Sequence, residues 1–346
     1  MDLSGIKRIL IVRTDRIGDV VLSTPTLTAA RKAFPKAYIA MMVSPETKVI
    51  VMSNPYLNEV IIYDKKVKQR GIFKTMQFAG WLRDKRFDLA FILHSTNRVS
   101  LVTFLAGIPK RVGYKRGKMD FLLTDKLDYK KRLGDKHEAE YSLDVLRHIG
   151  IDAEISPLVM PVDKKSENKI EELFRKNGLK QGEKILVLHP GASDVSKMWP
   201  HENFAKTADA LIEKFELRGV LISGLEHVGL GDGVRKLMKH EPVFLCGKTS
   251  LGDLAALFKK TSIFISNDSG PVHIACAVGV PVISIFSRNE KGLSPKRWGP
   301  IGKNVAVLHK DVGCTKCLAH NCKKAFLCLR SVTVEEVVEK ASGLLS

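Results

Sequence analysis

The chain has 346 residues, 45% of them hydrophobic, which is enough for two domains that each bury a core. No run of 18 apolar residues occurs and no signal-peptide pattern opens the chain, so we expect a cytoplasmic protein without a transmembrane helix. The net charge of +19 favours phosphorylated ligands or an anionic membrane surface, although a diffuse solvated lysine surface accounts for much of it. Zinc-finger, RNP and basic-zipper patterns are missing, so nucleic acid is not predicted as a partner.

Strand-like and helix-like segments alternate along the chain, which predicts an α/β fold with parallel sheets. Residues 1–162 are predicted to form an N-terminal domain, 163–182 a connector, and 183–346 a C-terminal domain. Two such halves predict two Rossmann-like domains facing a cleft. The predicted strands are Arg8–Val12, Tyr38–Val43, Val60–Tyr63, Leu89–Leu93, Arg111–Tyr114, Lys184–His189, Arg218–Ser223, Val243–Leu245, Ile263–Ser266 and Val282–Phe286. The predicted helices are Pro25–Phe34, Phe73–Lys85, Arg98–Ala106, Ser166–Asn177, Asn203–Phe215, Gly231–Lys239, Leu251–Lys259, a short one from Pro271, and Thr333–Leu345, a candidate to pack back on the N-terminal domain.

The loop after the first strand reads Arg13-Thr-Asp-Arg-Ile-Gly-Asp19. Gly18 permits close backbone approach, and Asp19 is either a helix N-cap or a general base in the cleft. Arg13 and Arg16 either form a solvated cluster or bind an anionic acceptor. The loop lacks the G-x-G-x-x-G fingerprint of dinucleotide-binding proteins, so a nicotinamide cofactor is not favoured.

Beyond the fourth strand, the segment His94-Ser-Thr-Asn-Arg98 is a candidate acceptor loop through Asn97 and Arg98. An ordinary strand-end turn explains the same residues.

The loop after the Lys184–His189 strand contains small residues and then a lysine. Gly191, Ala192 and Ser193 allow backbone to approach a phosphate, and Lys197 could add a charge to a diphosphate. An ordinary exposed lysine is the alternative interpretation of Lys197.

Two further loops follow strands of the second half. Glu226 could accept hydrogen bonds from ribose hydroxyls, or it is a surface glutamate. Thr249 could touch a nucleotide, or it and Ser250 simply cap the next helix.

The segment Asn267-Asp-Ser-Gly-Pro-Val-His273 predicts a strand, a tight turn and a short helix whose first N–H groups form an anion site. Pro271 is expected at the first helical position. Asp268, Ser269 and Gly270 would build the turn, and His273 either faces a phosphate or is a buried histidine satisfied by a backbone carbonyl.

Together these loops resemble those of the ADP-heptose:lipopolysaccharide heptosyltransferases of glycosyltransferase family 9, in the same order and over nearly the whole chain. The resemblance implies a GT-B fold that binds the donor ADP-heptose in the C-terminal domain and a lipid A-core acceptor in the N-terminal one. It implies an inverting transfer of L-glycero-D-manno-heptose to Kdo-lipid A or to an already heptosylated core, with Asp19 as base and Lys197 as donor-phosphate contact. Glu226 would bind the adenosine ribose, and Asp268, Ser269, Gly270 and His273 the diphosphate and sugar.

The chemistry of inversion suits these residues, because the acceptor hydroxyl needs a base and the departing diphosphate needs positive charge. Arg13 and Arg16 are expected to lower the pKa of Asp19. No D-x-D motif occurs, so no cofactor and no divalent metal are expected. The net charge suggests that the protein makes peripheral contact with the inner face of an anionic inner membrane.

Four cysteines follow the spacing C-x2-C-x4-C-x5-C: Cys314, Cys317, Cys322 and Cys328. A structural zinc, two disulfides or free thiols remain open for them.

Two alternatives to this function also remain open. One is a family transferase with another donor sugar or glycan acceptor, and the other is a nucleotide-binding protein that has lost catalysis.

Overall fold

The computed structural model describes residues 3–314, 316–317 and 319–346. The chain divides into two compact units, Met1–Pro161 and Val162–Ser346. Each unit holds a six-stranded sheet whose strands are all parallel, with helices between successive strands. Because both faces of a parallel sheet are covered by helices, its central strands read as nearly continuous apolar runs, as in Arg8–Val12.

In the first unit the strands are β1 (Arg8–Val12), β2 (Tyr38–Val43), β3 (Glu59–Ile62), β4 (Leu89–Ile92), β5 (Lys110–Lys115) and β6 (Asp125–Asp128). Its helices are α1 (Ile17–Val21), α2 (Thr24–Ala33), α3 (Lys48–Val51), α4 (Ile72–Asp84), α5 (Asn97–Leu105) and α6 (Glu138–Arg147). The strand order is β3-β2-β1-β4-β5-β6, which is the order of a Rossmann fold. The order therefore reverses direction between β1 and β4.

In the second unit the strands are β7 (Ile185–His189), β8 (Arg218–Leu221), β9 (Val243–Phe244), β10 (Ile263–Asn267), β11 (Val282–Phe286) and β12 (Val305–His309). Its helices are α7 (Lys164–Lys176), α8 (His201–Phe215), α9 (Val228–Leu237), α10 (Leu251–Phe258), α11 (Gly270–Ala277), α12 (Pro295–Trp298), α13 (Leu327–Arg330) and α14 (Val334–Leu345). The order β12-β11-β10-β7-β8-β9 repeats the Rossmann arrangement, and it reverses between β7 and β10.

The helix predicted inside the connector is α7, which is held against the second unit. Asp163 caps its start by accepting from the N–H of Ser166 at 2.8 Å. Lys169 on α7 forms a salt bridge with Asp253 on α10. The final helix α14 begins with a capping box at Thr333, and its buried residues join the core of the second unit.

The elements without a sequence prediction are β6, β12, α6 and several short helices. β6 reads Asp-Lys-Leu-Asp and lies at the sheet edge, where one neighbour is missing and polar residues are tolerated. Pro271 lies one position later than predicted, because Gly270 is already helical and Ser269 is the N-cap. Within the described ranges, no helix is both long and apolar enough to cross a membrane.

The four clustered cysteines line one cavity of about 190 Å³ in the second unit. All four are free thiols, so the structure has no disulfide among them. Among the described residues, no three His, Cys, Asp or Glu side chains are placed to hold a metal ion.

Candidate active site

The loops that follow β1 and β4 meet at the point where the strand order of the first unit reverses. Parallel sheets open a crevice there, beyond the carboxyl ends of the two strands, and α/β proteins bind ligands in it. Asp15 after β1 and His94 after β4 approach each other, with Oδ2 and Nδ1 separated by 3.8 Å. The chain therefore brings the two predicted acceptor loops of the first unit to one place.

Arg13 is the buried centre of this place, with 1% of its surface exposed. Its Nε donates to Asp15 Oδ1 at 2.8 Å, and its Nη2 donates to both Asp19 and Glu138, the latter at 3.1 Å. Burial opposes the charge of Arg13, but the three carboxylates outweigh it and raise its pKa. The guanidinium therefore stays charged and holds three acidic side chains in fixed positions.

A second buried cation completes this cluster from a distant part of the chain. Glu138 begins α6 and is 1% exposed, and Lys131 in the preceding turn is 4% exposed. Lys131 Nζ donates to Glu138 Oε1 at 2.6 Å, and its ammonium lies 4.9 Å from the ring centroid of Tyr114. Two cations thus face three carboxylates, so removing Arg13 would leave the Asp19 carboxylate without its cationic partner.

Asp19 lies within α1 rather than at its N-cap, which is Arg16. It is 9% exposed and its Oδ1 accepts from Arg13, while Oδ2 makes no hydrogen bond within the part of the chain that the structure describes. Burial raises the pKa of Asp19, Arg13 opposes this, and the carboxylates of Asp15 and Glu138 add to the rise. Arg13 therefore lowers this pKa as expected, but burial and the neighbouring carboxylates outweigh it, and Arg16 is exposed, so the net shift is upward.

His94 is uncharged at neutral pH. Burial and the nearby charges of Arg13 and Arg116 lower its pKa to about 3. It can therefore offer a neutral ring nitrogen to a ligand, in contrast to the charged groups beside it.

The remaining predicted acceptor residues have different surroundings. Arg16 is exposed and Gly18 half-buried, at the start of α1. Asn97 and Arg98 begin α5 and line a groove of about 340 Å³. Asn97 Oδ1 accepts from the N–H of Met119 at 3.1 Å, and Arg98 donates to the carbonyls of Lys65 and Gln69. The guanidinium of Arg98 therefore has a structural role in holding the loop before α4.

The second unit repeats this arrangement beyond β7 and β10. His189 ends β7, and its Nδ1 lies 3.1 Å from Ser266 Oγ on β10 and 3.3 Å from Ser269 Oγ. Burial and the neighbouring His227 lower the pKa of His189 to about 4, so its ring is neutral. Neutral histidine and serine hydroxyls then link the two loops at the reversal point.

Asn267 fixes the loop after β7 with both ends of its amide. Its Nδ2 donates to the carbonyl of Pro190 at 2.7 Å, and its Oδ1 accepts from the N–H of Trp199 at 2.9 Å. The Trp199 indole is fully buried and donates to the carbonyl of Val332 at 3.0 Å. These bonds place Lys197 beside the β10–α11 turn, where its ammonium forms a salt bridge with Asp268.

Next to this salt bridge is the N-terminus of α11, with Ser269 as the N-cap and Gly270 as first helical residue. Pro271 has no N–H, and the Val272 N–H already donates to the Ser269 carbonyl at 3.2 Å. Among the described residues, the Gly270 N–H makes no hydrogen bond, so the turn offers this donor together with the lysine. His273 is in the first turn and 4% exposed. The Lys197–Asp268 pair and this turn form the candidate anion site.

The predicted phosphate loop, residues 191–193, runs along the same edge. Gly191 and Ala192 are buried and Ser193 is exposed. A Cβ on Gly191 would lie 3.0 Å from His227 Nδ1 and 3.4 Å from His189 Nε2, so a side chain here would press on both imidazole rings.

The two predicted nucleoside contacts, Glu226 and Thr249, differ in exposure. The Glu226 side chain is 71% exposed, and its Oε1 is 3.6 Å from His227 Nδ1. Thr249 is half-buried, and Ser250, not Thr249, caps α10 in a capping box with Asp253.

Sequence reasoning did not find Glu138 and Lys131. A usable signal was present, because Tyr141, Leu143 and Leu146 are buried residues of an amphipathic α6 whose first residue is an acid. A carboxylate on the buried side of a predicted helix indicates a distant cationic partner.

The sequence model of glycosyltransferase family 9 (heptosyltransferase) matches residues 75–327. The chain belongs to this family. Lipopolysaccharide heptosyltransferase 2 of Escherichia coli K12 is 25% identical over 98% of both chains. Lipopolysaccharide heptosyltransferase 3 of the same organism is 26% identical over 83% of both chains.

Solved structures agree with this family assignment and confirm the predicted GT-B fold class. A family 9 glycosyltransferase from Veillonella parvula superposes with a TM-score of 0.88 at 26% identity, over 100% of this chain and 98% of that one. The ADP-heptose lipopolysaccharide heptosyltransferase II of E. coli gives 0.79 at 23% identity, over 98% of both chains. The heptosyltransferase prediction is confirmed at the level of the family: this chain is a family 9 heptosyltransferase.

Proposed function

We propose that this heptosyltransferase moves L-glycero-D-manno-heptose from ADP-heptose to the inner core of lipopolysaccharide, with inversion at the anomeric carbon. The acceptor would be Kdo-lipid A or a core that already carries heptose. The names of the E. coli relatives support this donor and acceptor class. The observation that carries the proposal is the buried Asp19, held by Arg13 and raised in pKa, because inversion needs a base that is ionised but not weak.

In the proposed reaction, Asp19 accepts the proton of the acceptor hydroxyl while that oxygen bonds to the anomeric carbon. The bond from that carbon to the diphosphate oxygen breaks, and ADP leaves with the electron pair. The transition state resembles an oxocarbenium ion, so charge grows on the leaving diphosphate. Lys197 and the Gly270 N–H at the start of α11 would stabilise that charge, with Gly191, Ala192 and Ser193 beside it.

Asp268 has a defined part in this proposal. As its carboxylate pairs with Lys197 in the structure, a bound diphosphate would have to share or replace that pairing. The pair keeps the ammonium in place before the donor arrives, which reduces the ordering cost of binding. Glu226 and Thr249 would contact the adenosine at the open side, and His273 the phosphate or sugar.

The principal experiment measures ADP release from ADP-heptose with Kdo-lipid A and with heptosylated Kdo-lipid A as separate acceptors. We expect turnover with one of them, and persistence of that turnover in excess EDTA. Turnover only with another donor sugar or another glycan would favour the related-transferase alternative. If ADP stabilises the protein against heat but no pair of sugar nucleotide and acceptor gives a product, the alternative of a binding protein that has lost catalysis is favoured.

Lys197 offers a matched test of the donor site. Lys197→Gln should lower kcat/KM by about 10²–10³-fold and weaken ADP binding, since the variant loses the charge facing the diphosphate. Lys248→Gln removes an exposed lysine after β9 and should leave both within about twofold. Equal effects of the two substitutions on ADP binding would contradict the assignment of Lys197.

A further inference from the structure

The start of α4 and the loop before it present large apolar side chains to solvent. Val67, Ile72, Phe73 and Met76 are 70%, 66%, 78% and 55% exposed. The opposite face of α4 packs into the core of the first unit through Phe78 and its neighbours. The exposed face is therefore a second apolar face of the same helix, which packing of the unit leaves uncovered.

A turn from a different part of the unit approaches the start of α4. Phe121, in the turn Asp120–Leu122, is 71% exposed. The same stretch contributes Met119 to the groove of about 340 Å³ that Ile72 and Asn97 also line. We name the four exposed residues at and before the start of α4, Val67, Ile72, Phe73 and Met76, the apolar shoulder.

Exposed cations surround the apolar shoulder: Lys66, Lys68, Arg70, Lys74 and Lys118. Of these, Lys66 pairs with Glu46 at 3.1 Å. Lys68, Arg70 and Lys74 form no salt bridge within the ranges that the structure describes. Asp64 is the one acid between residues 64 and 76, and it accepts from the N–H groups of Lys66 and Val67. The surface therefore combines apolar side chains with uncompensated positive charge.

The loop that carries Val67 is tied down at several points. Arg98 donates to the carbonyls of Lys65 and Gln69 and to Thr75 Oγ1, the last at 2.7 Å. The Asp64 N–H donates to Gln69 Oε1 at 2.7 Å. A surface held in this way loses little conformational entropy when it docks.

We propose that the apolar shoulder and its cations dock on an anionic lipid bilayer, with Phe73 and Met76 reaching the boundary between the headgroups and the acyl chains. This inference rests on the proposed function, since the lipid-bearing acceptor would lie in such a surface. Interfacial binding combines buried apolar area with attraction of Lys and Arg to anionic lipid, and both occur here on one short helix face. If the same face instead bound a protein, that partner would need acidic residues to match the cations, and this chain would not bind lipid vesicles.

The test measures binding of the full chain to vesicles of phosphatidylethanolamine with phosphatidylglycerol, against vesicles of phosphatidylcholine alone, with no lipopolysaccharide present. The double variant Phe73→Ser/Met76→Ser should bind the anionic vesicles about tenfold more weakly, equivalent to about 1.4 kcal/mol. The control double variant Met52→Ser/Leu237→Ser removes side chains that are 61% and 50% exposed elsewhere and should bind like wild type. Equal binding of both double variants, or no preference of wild type for anionic vesicles, would overturn the proposal.

Insertion and simple electrostatic attraction are separated by a second measurement. The chain already contains Trp81, Trp199 and Trp298, so the measurement compares Phe73→Trp with wild type. Brominated lipid should quench a larger share of the emission in the variant, because its bromine lies in the acyl region. Equal quenching in the two proteins would place residue 73 outside the bilayer and refute insertion.

The same double variants separate this inference from the proposed function. On a water-soluble acceptor without acyl chains, Phe73→Ser/Met76→Ser should release ADP at the wild-type rate, because neither side chain lines the groove at Asn97. A protein that binds vesicles as expected but releases no ADP would sink the proposed function alone. If the protein turns over but Phe73→Ser/Met76→Ser binds vesicles as well as the control variant does, the docking proposal alone is wrong.

Discussion

Replacing Asp19 by Asn tests the role of the buried carboxylate most directly. Asn keeps an oxygen where Arg13 Nη2 donates, so the hydrogen bond can persist while the base is lost. Arg13 also keeps Asp15 and Glu138 as charged partners, so its charge remains compensated. The substitution therefore changes proton acceptance with little change in the surrounding geometry.

The expected loss follows from what a positioned base contributes. General-base catalysis supplies about 10²–10⁴-fold, so kcat/KM should fall by that factor, equivalent to about 2.7–5.4 kcal/mol of transition-state stabilisation. The assay is continuous ADP release at saturating and limiting acceptor, with unfolding by denaturant as a check on the fold. ADP binding should stay near wild type, because the proposed function assigns Asp19 to the acceptor and not to the donor.

Asp15 supplies the matched control for this prediction. It is a carboxylate on the same arginine, bonded to Nε at 2.8 Å, but it is not assigned as the base. Asp15→Asn should keep kcat/KM within about tenfold of wild type, since it removes a charge without removing the base. If Asp15→Asn lowered kcat/KM as much as Asp19→Asn, the loss of a charged partner of Arg13, and not the loss of a base, would explain both results. If Asp19→Asn turned over like wild type, the assignment of the base would be wrong.

Two further predictions concern charge and packing. The Glu138 carboxylate raises the pKa of Asp19, and the proposed reaction needs Asp19 ionised. Glu138→Gln should therefore move the acidic limb of the pH profile of kcat/KM to lower pH. An unmoved limb would refute the coupling between the two carboxylates. In α9, a Cβ on Gly231 would lie 2.3 Å from Cys246 Sγ, so Gly231→Ala should destabilise the fold by about 1–3 kcal/mol in denaturant unfolding. Gly229→Ala, where nothing lies within 4 Å, should instead stabilise α9 by up to about 1 kcal/mol, and the same sign for both would contradict this reasoning.

The alternation of strands and helices was predictable because it depends on local patterns. The apolar runs at Arg8–Val12 and Ile263–Ser266 predict buried parallel strands, and both form central strands of their sheets. Glycine and proline mark the turns around α11 through their own backbone restrictions. The edge strand β6 escaped prediction because a strand with one neighbour does not need an apolar pattern.

The positions of the polar loops could also be predicted, but not the contacts between them. Glu138 lies 125 residues from Arg13 in the chain. The two side chains meet only because the start of α6 lies beside the loop that follows β1. The salt bridge of Lys197 with Asp268 likewise joins loops after two different strands. Such pairs depend on the strand order, which residue patterns along the chain do not specify.

The direction of the Asp19 pKa shift is a property that the sequence pattern could not predict. Reading the sequence, one sees two neighbouring arginines and expects a lowered pKa. In the fold, burial disfavours the charged form and, with the carboxylates of Asp15 and Glu138, outweighs the lowering by Arg13, while Arg16 is exposed, so the net pKa shift is upward. A local pattern identifies which residue carries the carboxylate. How strongly that carboxylate holds its proton depends on burial and on every charge within several ångströms, and tertiary packing sets both.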